Sequence, residues 1–230
     1  MTVSIIIPTY NEAGNIGSLL DFLLINGDEN LMEIIVSDGG STDTTFEAAK
    51  KTGVKTVLSP KKGRAAQMNY GASMAKGDLL YFVHADSKPP KTYLTDIIHS
   101  IASGFDLGRF LSAYDSKSWL LKINSLLSRL DTFAGMGGDQ TVFITHQLFK
   151  ETGGFNAEMK IMEEFEFCAR ARKKGKYKII PKAVLISARK YESNGWLSVQ
   201  KANYKIVQMY LKGASQEEMA NKYKQMLNYR

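Results

Sequence analysis

At 230 residues, 44% hydrophobic and 23% charged, the chain has the balance of a soluble globular protein and enough length to bury a core without disulfides or metal staples, so one large domain is expected. The net charge of +7 and pI of 9.3 suit an anionic ligand or surface, but the basic residues are spread along the chain without interleaved aromatics, which argues against a nucleic-acid partner. The single cysteine, Cys168, excludes an intrachain disulfide and reads as a buried thiol, and no run approaches the ~20 apolar residues of a membrane span.

Residues 3–8 form an apolar run closed by Pro8, as in a strand buried on both faces, and 14–24 reads as the helix after it. Residues 33–37 and 43–51 repeat the pair, with Gly53 as a helix stop. A strand at 55–58, a helix at 64–76 and a strand at 79–83 continue the rhythm. This βαβαβαβ order predicts an α/β layer around a mainly parallel sheet, with strand ends on one side. A helix at 90–103 and a strand at 105–114 follow. The second half is less regular. A helical apolar spacing runs through Trp119, Leu120, Ile123, Leu126, Leu127 and Leu130, and reads first as an ordinary core-facing helix. Beyond a glycine-rich break at 135–138 come a strand at 140–145, short helical residues at 146–151, and a helix at 163–174. Strand-like runs at 177–180 and 183–187 flank Pro181, and helices at 196–211 and 216–227 close the chain.

Three strand ends carry polar residues, the place where open α/β sheets bind ligands. The first is PTYNE, with Pro8, Thr9, Tyr10 and Glu12; Tyr10 offers a ring that can stack on a base. The second is IIVSDGGSTD, where Asp38 is followed by two glycines that allow positive φ or close backbone approach. Ser41, Thr42 and Asp43 read as helix caps there. The third is HADS, where alternation along a strand would point His84 and Asp86 the same way. A carboxylate such as Asp86 suits Mg²⁺ or Mn²⁺ held against a diphosphate. Arg64 opens a helix, where a phosphate contact is expected as readily as a solvated turn. Asp139 and Gln140, after the glycine-rich break, suit a sugar hydroxyl or a turn cap. Glu163 and Glu164 lie in a helix's first turn, where acids complement the dipole and one can serve as a base. No G-x-G-x-x-G follows a strand and no P-loop is present, so nicotinamide, flavin and ATPase readings fall.

Taken in order, IIPTYNE, IIVSDGGSTD, GRAAQMNYGA, LLYFVHADS, GGDQ, GGF and MEEFEF resemble the GT-A glycosyltransferases of family 2, over roughly residues 3–190. The GRAAQMN and HAD variants are most similar to a small bacterial subgroup, the radical-SAM/selenodomain-associated transferases. The resemblance implies a single GT-A domain over residues 1–230: a nucleotide-sugar half at 1–105, an acceptor and catalytic half at 106–190, and C-terminal helices at 191–230. It implies a nucleoside pocket lined by Pro8, Thr9, Tyr10, Glu12 and Asp38, with Arg64 and His84 also on the donor nucleotide. Asp86 would match the last acid of D-x-D and hold Mn²⁺ or Mg²⁺ on the donor diphosphate. Glu164 would match the second acid of the family's E-D pair, the general base. Asp139, Gln140 and Glu163 would meet the acceptor or sugar.

Two positions depart from the family pattern. The first acid of D-x-D is His84, which puts strict metal dependence in doubt, and the E-D pair reads Glu163-Glu164. The Q-x-x-R-W of processive synthases is absent, with Arg189-Lys190-Tyr191 in a broadly similar place. The implied reaction is inverting transfer from a UDP- or GDP-sugar to an acceptor hydroxyl. The alternatives are a sugar-nucleotide nucleotidyltransferase and a nucleotide-sugar-binding protein without turnover. The expected location is cytoplasmic, with peripheral contact at the inner membrane face and a second copy of the chain as candidate partnerships.

Overall fold

The computed structural model of the chain describes residues 1–131 and 140–227. Its first half follows the expected alternation: β1 (Val3–Thr9), α1 (Ala13–Ile25), β2 (Leu31–Asp38), α2 (Thr45–Lys51), β3 (Lys55–Leu58), α3 (Arg64–Ser73) and β4 (Leu79–Phe82). β1 pairs in parallel with both β2 and β4, and β2 pairs in parallel with β3. All seven residues of β1 are buried, because helices cover both faces of the sheet. Val3, Ile5 and Ile7 face a core completed by Ile16, Leu20 and Leu23 of α1. Ile6 faces the other side, against Ala65, Met68 and Ala72 of α3. That split is the two-residue alternation of a strand.

The second half contributes β5 (Ser87–Lys88), α4 (Tyr93–Ala102), β6 (Leu107–Tyr114), α5 (Trp119–Leu127), β7 (Val142–Thr145), α6 (His146–Glu151), α7 (Glu163–Ala171), β8 (Tyr177–Ile186), α8 (Arg189–Asn194), α9 (Trp196–Leu211) and α10 (Gln216–Met226). The strands complete an eight-stranded sheet in the order β3-β2-β1-β4-β7-β6-β8-β5. β7 is antiparallel to β4 and β6, β6 and β8 are parallel, and β5 is antiparallel to β8. The sheet is therefore mixed, with its parallel block under the first three strand ends.

Several local expectations shift. The runs on either side of Pro181 are one strand. Phe110 pairs with Ile180 and Leu111 with Ala183, so Pro181 and Lys182 bulge out of the ladder. Proline has no N–H to give, and a bulge removes the need for one. The six-residue α8 was too short to show a period. In α5 only Leu121 is buried, while Trp119, Ile123, Leu126, Leu127 and nearby Leu130 are exposed, so the apolar spacing there does not mark a core face. A third cluster joins Leu121 to Tyr191, Val199, Ile206 and Met219, tying α5 to α8, α9 and α10. No helix among the described residues is long and apolar enough to cross a membrane.

Candidate active site

Thr9 and Asp38 are the last residues of β1 and β2 and stand opposite each other in register. Asp38 is 1% exposed and accepts four hydrogen bonds: Thr9 Oγ1 at 2.8 Å, Ser41 Oγ at 2.6 Å, and the backbone N–H groups of Gly40 at 2.9 Å and Ser41 at 2.7 Å. A carboxylate has about four lone-pair sites, so Asp38 is filled by its own loop together with Thr9 of β1. A nucleoside contact at Asp38 would have to displace one of these donors. Asn11, at φ 55°, stitches this loop to the first strand end. Its side-chain oxygen accepts from Thr42 N at 2.8 Å, and its own N–H donates to Ser41 Oγ at 2.9 Å. Tyr10 is 46% exposed, with the Lys62 ammonium 6.0 Å from the centre of its ring. Pro8 is buried beneath it.

Gln67 is a site residue that sequence reasoning passed over, although it sits in the GRAAQMN motif. It is buried on α3, and its side-chain N–H₂ donates to Thr9 O at 2.6 Å and Ser37 O at 3.0 Å, bracing two strand ends from below. A Cβ on Gly39 would lie 2.9 Å from the Gln67 side chain, which explains a glycine there. Asn69, two residues along, donates to Phe155 O at 2.7 Å and accepts from Phe155 N at 2.9 Å, fixing the GGF segment that leads to α7.

His84 and Asp86 take different partners. β4 ends at Phe82, and a turn separates the two side chains, so strand alternation no longer applies. His84 Nε2 meets Glu164 Oε1 at 2.6 Å, with both side chains buried. Met162, in the left-handed region at φ 68°, turns the chain so that α7 begins with Glu163 and Glu164 directed inward. Burial pushes the Glu164 carboxyl above the usual carboxylate range, and the neighbouring imidazole offsets this only in part. Burial works against the charge on His84, but Glu164 beside it prevails and holds the imidazole above its ordinary value. The two titrate as one unit that shares a proton.

Asp86 lies two residues on from His84, in that turn. Its Oδ2 accepts from Arg189 Nη2 at 3.0 Å, and the same guanidinium forms a two-pronged ion pair with Glu12, its Nη1 at 2.8 Å from Oε2. Arg189 begins α8, just after β8, and links the first strand end to the third. Sequence reading noted its position without giving it a role. Arg64 Nη1 stands 3.2 Å from Glu163 Oε1, bringing the start of α3 to the start of α7. Gln140 is buried near Glu164 at the start of β7, and Asp139 lies outside the described residues. Cys168 is buried as expected, and burial pushes its thiol up to about 12, the opposite of a reactive thiolate.

A preformed metal cage is not what these side chains build. Among the described residues no three His, Cys, Asp or Glu side chains gather as a set that could hold an ion. One carboxylate at a strand end, completed by diphosphate oxygens and water, is nevertheless a usual donor set for Mg²⁺ or Mn²⁺. Asp86 fits that arrangement, and its carboxylate is paired here with Arg189.

The family model described as Glycosyl transferase family 2 matches residues 4–149. Among curated proteins, the chain is 31% identical over 134 residues to the undecaprenyl-phosphate 4-deoxy-4-formamido-L-arabinose transferase of Aeromonas hydrophila, covering 54% of this chain and 41% of that protein. It is 33% identical over 128 residues to the dolichol-phosphate mannosyltransferase of Pyrococcus furiosus, covering 52% of this chain and 36% of that one. The chain thus spans about two fifths of the length of these relatives. S. aureus TarS in complex with UDP-GlcNAc superposes with a TM-score of 0.66 at 22% identity, over 81% of this chain and 58% of that one. The glucosyl-3-phosphoglycerate synthase of Mycobacterium tuberculosis, in complex with Mn²⁺, UDP-glucose and phosphoglyceric acid, superposes with a TM-score of 0.63 at 18% identity, over 79% of this chain and 70% of that one. At such identities the likeness is one of fold, and the fold is GT-A.

Proposed function

This chain belongs to glycosyl transferase family 2, and from that premise we propose that it moves a sugar from a UDP- or GDP-sugar to an acceptor hydroxyl, inverting the anomeric configuration, with Glu164 as the base. The observation that carries this reading is the buried His84–Glu164 pair, held at 2.6 Å beside the strand ends that supply Thr9, Asp38 and Asp86. A glutamate whose proton affinity is raised by burial is suited to take a proton near neutral pH. Glu164 removes the acceptor hydroxyl proton, and that oxygen bonds to the anomeric carbon. The carbon's bond to the diphosphate breaks on the opposite face, and the nucleoside diphosphate leaves. Tyr10 and the Asp38 loop are assigned to the nucleoside, with Pro8 shaping the loop. Glu12 acts through Arg189. Arg64 exchanges Glu163 for donor phosphate, and Gln140 and Glu163 are assigned to the acceptor side with Asp139. Asp86 would hold Mn²⁺ or Mg²⁺, and the bound ion would offset charge on the departing diphosphate.

Glu164→Gln is the direct test. Transfer or donor hydrolysis should fall by ~10²–10⁴-fold, the contribution of a positioned base, while UDP affinity by calorimetry is kept. Normal turnover in that variant would remove Glu164 from the role. Donor binding with no turnover in the unmodified protein would favour the binding-protein alternative.

A second reading concerns the acceptor side. The apolar side chains of α5 are exposed, Trp119 at 67% and Leu126 at 63%, and Lys117, Lys122 and Arg129 lie in the same segment. We propose that this face rests on an anionic lipid surface, with the charge complementing the headgroups and the indole at their level. The lipid phosphates in the names of the two curated relatives are consistent with an acceptor presented there.

A further inference from the structure

Five buried side-chain polar atoms among the described residues have no hydrogen-bond partner in the protein: Ser37 Oγ, Ser87 Oγ, Arg109 Nε, Glu164 Oε2 and Tyr177 Oη. The last three belong to residues that line one small cavity behind α7. Buried polar groups in native proteins are almost always satisfied, by protein or by ordered water. Three of them around one space mark it as a site.

Arg109 is the unusual member. It lies in β6, 2% exposed, in the layer of the sheet that backs α7. Its Nη1 reaches Phe110 O at 3.3 Å and its Nη2 reaches Leu130 O at 3.4 Å, both long; its guanidinium lies near the Tyr177 hydroxyl without a well-formed hydrogen bond to it, and it makes no ion pair among the described residues. A buried guanidinium cannot shed its proton, so its charge must be compensated nearby. The neighbouring cations are engaged: Arg64 with Glu163, and Arg172 with Asp131 while its guanidinium stacks 4.1 Å over the Tyr177 ring. The carboxylate that shares the cavity with Arg109 is Glu164, whose other oxygen is taken by His84. The cavity offers about 10 Å³ to the centre of a water molecule, enough for one water and too little for a sugar or a phosphate.

We propose that this cavity is a structural water site, and that through its water Arg109 is a positioning residue for Glu164. The Arg109 Nε–H donates to the water. The water donates one hydrogen to Glu164 Oε2 and the other to the Tyr177 oxygen, which gives the three bonds typical of a buried water. Oε2 is thereby fixed from behind by a positive group, and Oε1, beside His84, is the oxygen that works. This inference rests on the reading of Glu164 as the base, but the water site itself does not.

The test has two arms. In a crystal structure of the unmodified protein at a resolution that shows ordered water, one water should lie within hydrogen-bond distance of all three atoms. A dry cavity, or a water that reaches Arg109 alone, overturns the proposal whether or not Glu164 is the base. In the second arm, UDP affinity is measured by calorimetry and turnover by hydrolysis of UDP-glucose, or of whichever UDP-sugar the protein cleaves fastest. Arg109→Gln should lower kcat by about ten- to a hundredfold, a part of the ~10²–10⁴ a positioned base supplies, with UDP affinity and KM unchanged. Arg109→Lys should recover a share of that loss. Tyr177→Phe, which keeps the ring under Arg172, should show a smaller loss of the same kind and serves if Arg109→Gln does not fold. Equal loss in the lysine and glutamine variants, or a loss that appears in UDP affinity, overturns the positioning role. If Glu164→Gln retains turnover while the water is present, it is the base assignment that fails.

Discussion

His84 occupies the position where the family's D-x-D pattern begins with an acid, and that single residue changes the character of the site. An acid there would set a second buried carboxylate against Glu164, and like charges at that distance cannot both ionise. The imidazole instead complements Glu164 and shares its proton. Both groups have raised proton affinity in the folded state, so the sign of the pH effect is the same for each. The contribution of Glu164 is fully present below the ordinary glutamate value of about 4.3 and that of His84 below the ordinary histidine value of about 6.5, and each is lost as pH rises through its raised folded value. In differential scanning calorimetry, the Tm of the natural protein should therefore fall as pH rises past the ordinary histidine value, relative to a His84→Asn/Glu164→Gln double variant, whose amides have nothing to titrate. Parallel Tm curves for the two proteins would show that the pair does not titrate in this window.

At the scale of elements, α3 connects the parallel strand ends to α7. Gln67 braces Thr9 and Ser37, Asn69 holds Phe155, and Arg64 meets Glu163. Gly39 against Gln67 is one tight fit here. The atom a Cβ would strike is the end of a flexible side chain, but two hydrogen bonds pin that end in place. Gly39→Ala should thus destabilise the protein by about 1–3 kcal/mol, the usual cost of overpacking. In a Gln67→Ala background the same change should cost much less, and urea melts of the four proteins give the coupling. Additive effects would mean that Gln67 yields freely and does not brace the loop. The element-level reading of the sequence was sound where a strand is buried on both faces, as at β1 and β4. It was weaker at β8, which runs through Pro181, and at α5, whose period was visible but whose environment was not.

The whole molecule is a mixed sheet with cores on both faces and a third cluster of helices at one end. Asn124 locks α5 onto that cluster, bonding Tyr191 Oη at 3.1 Å and Gln200 at 2.9 Å, which turns the Trp119–Leu126 side outward. The chain should therefore co-sediment with vesicles containing phosphatidylglycerol and remain in solution with neutral phosphatidylcholine. Removing Lys122 or Arg129 should weaken the association by about fivefold each, from ~1 kcal/mol per basic residue near an anionic surface. Trp119→Ser/Leu126→Ser should abolish it. Protein that stays in the supernatant in every case would refute the lipid assignment, and a concentration-dependent mass lost in the same variant would identify a second copy of the chain as the occupant.

Order along the chain by itself determined the α/β architecture and the family. Apolar runs that end in Thr9, Asp38 and the HAD turn can only be strands delivering polar groups to one edge, and acids after Met162 suit a helix start. Local pattern carries such information because strands and helix starts are made from neighbours. The partnerships of those residues were decided by tertiary structure. His84 and Glu164 are 80 residues apart, Arg189 and Asp86 are 103 apart, and Gln67 and Thr9 are 58 apart. No periodicity links positions so distant. Burial then altered what each group is: it raised the proton affinity of Glu164, filled Asp38 from Thr9 and its own loop, and left Arg109 and Glu164 lining a space the size of one water.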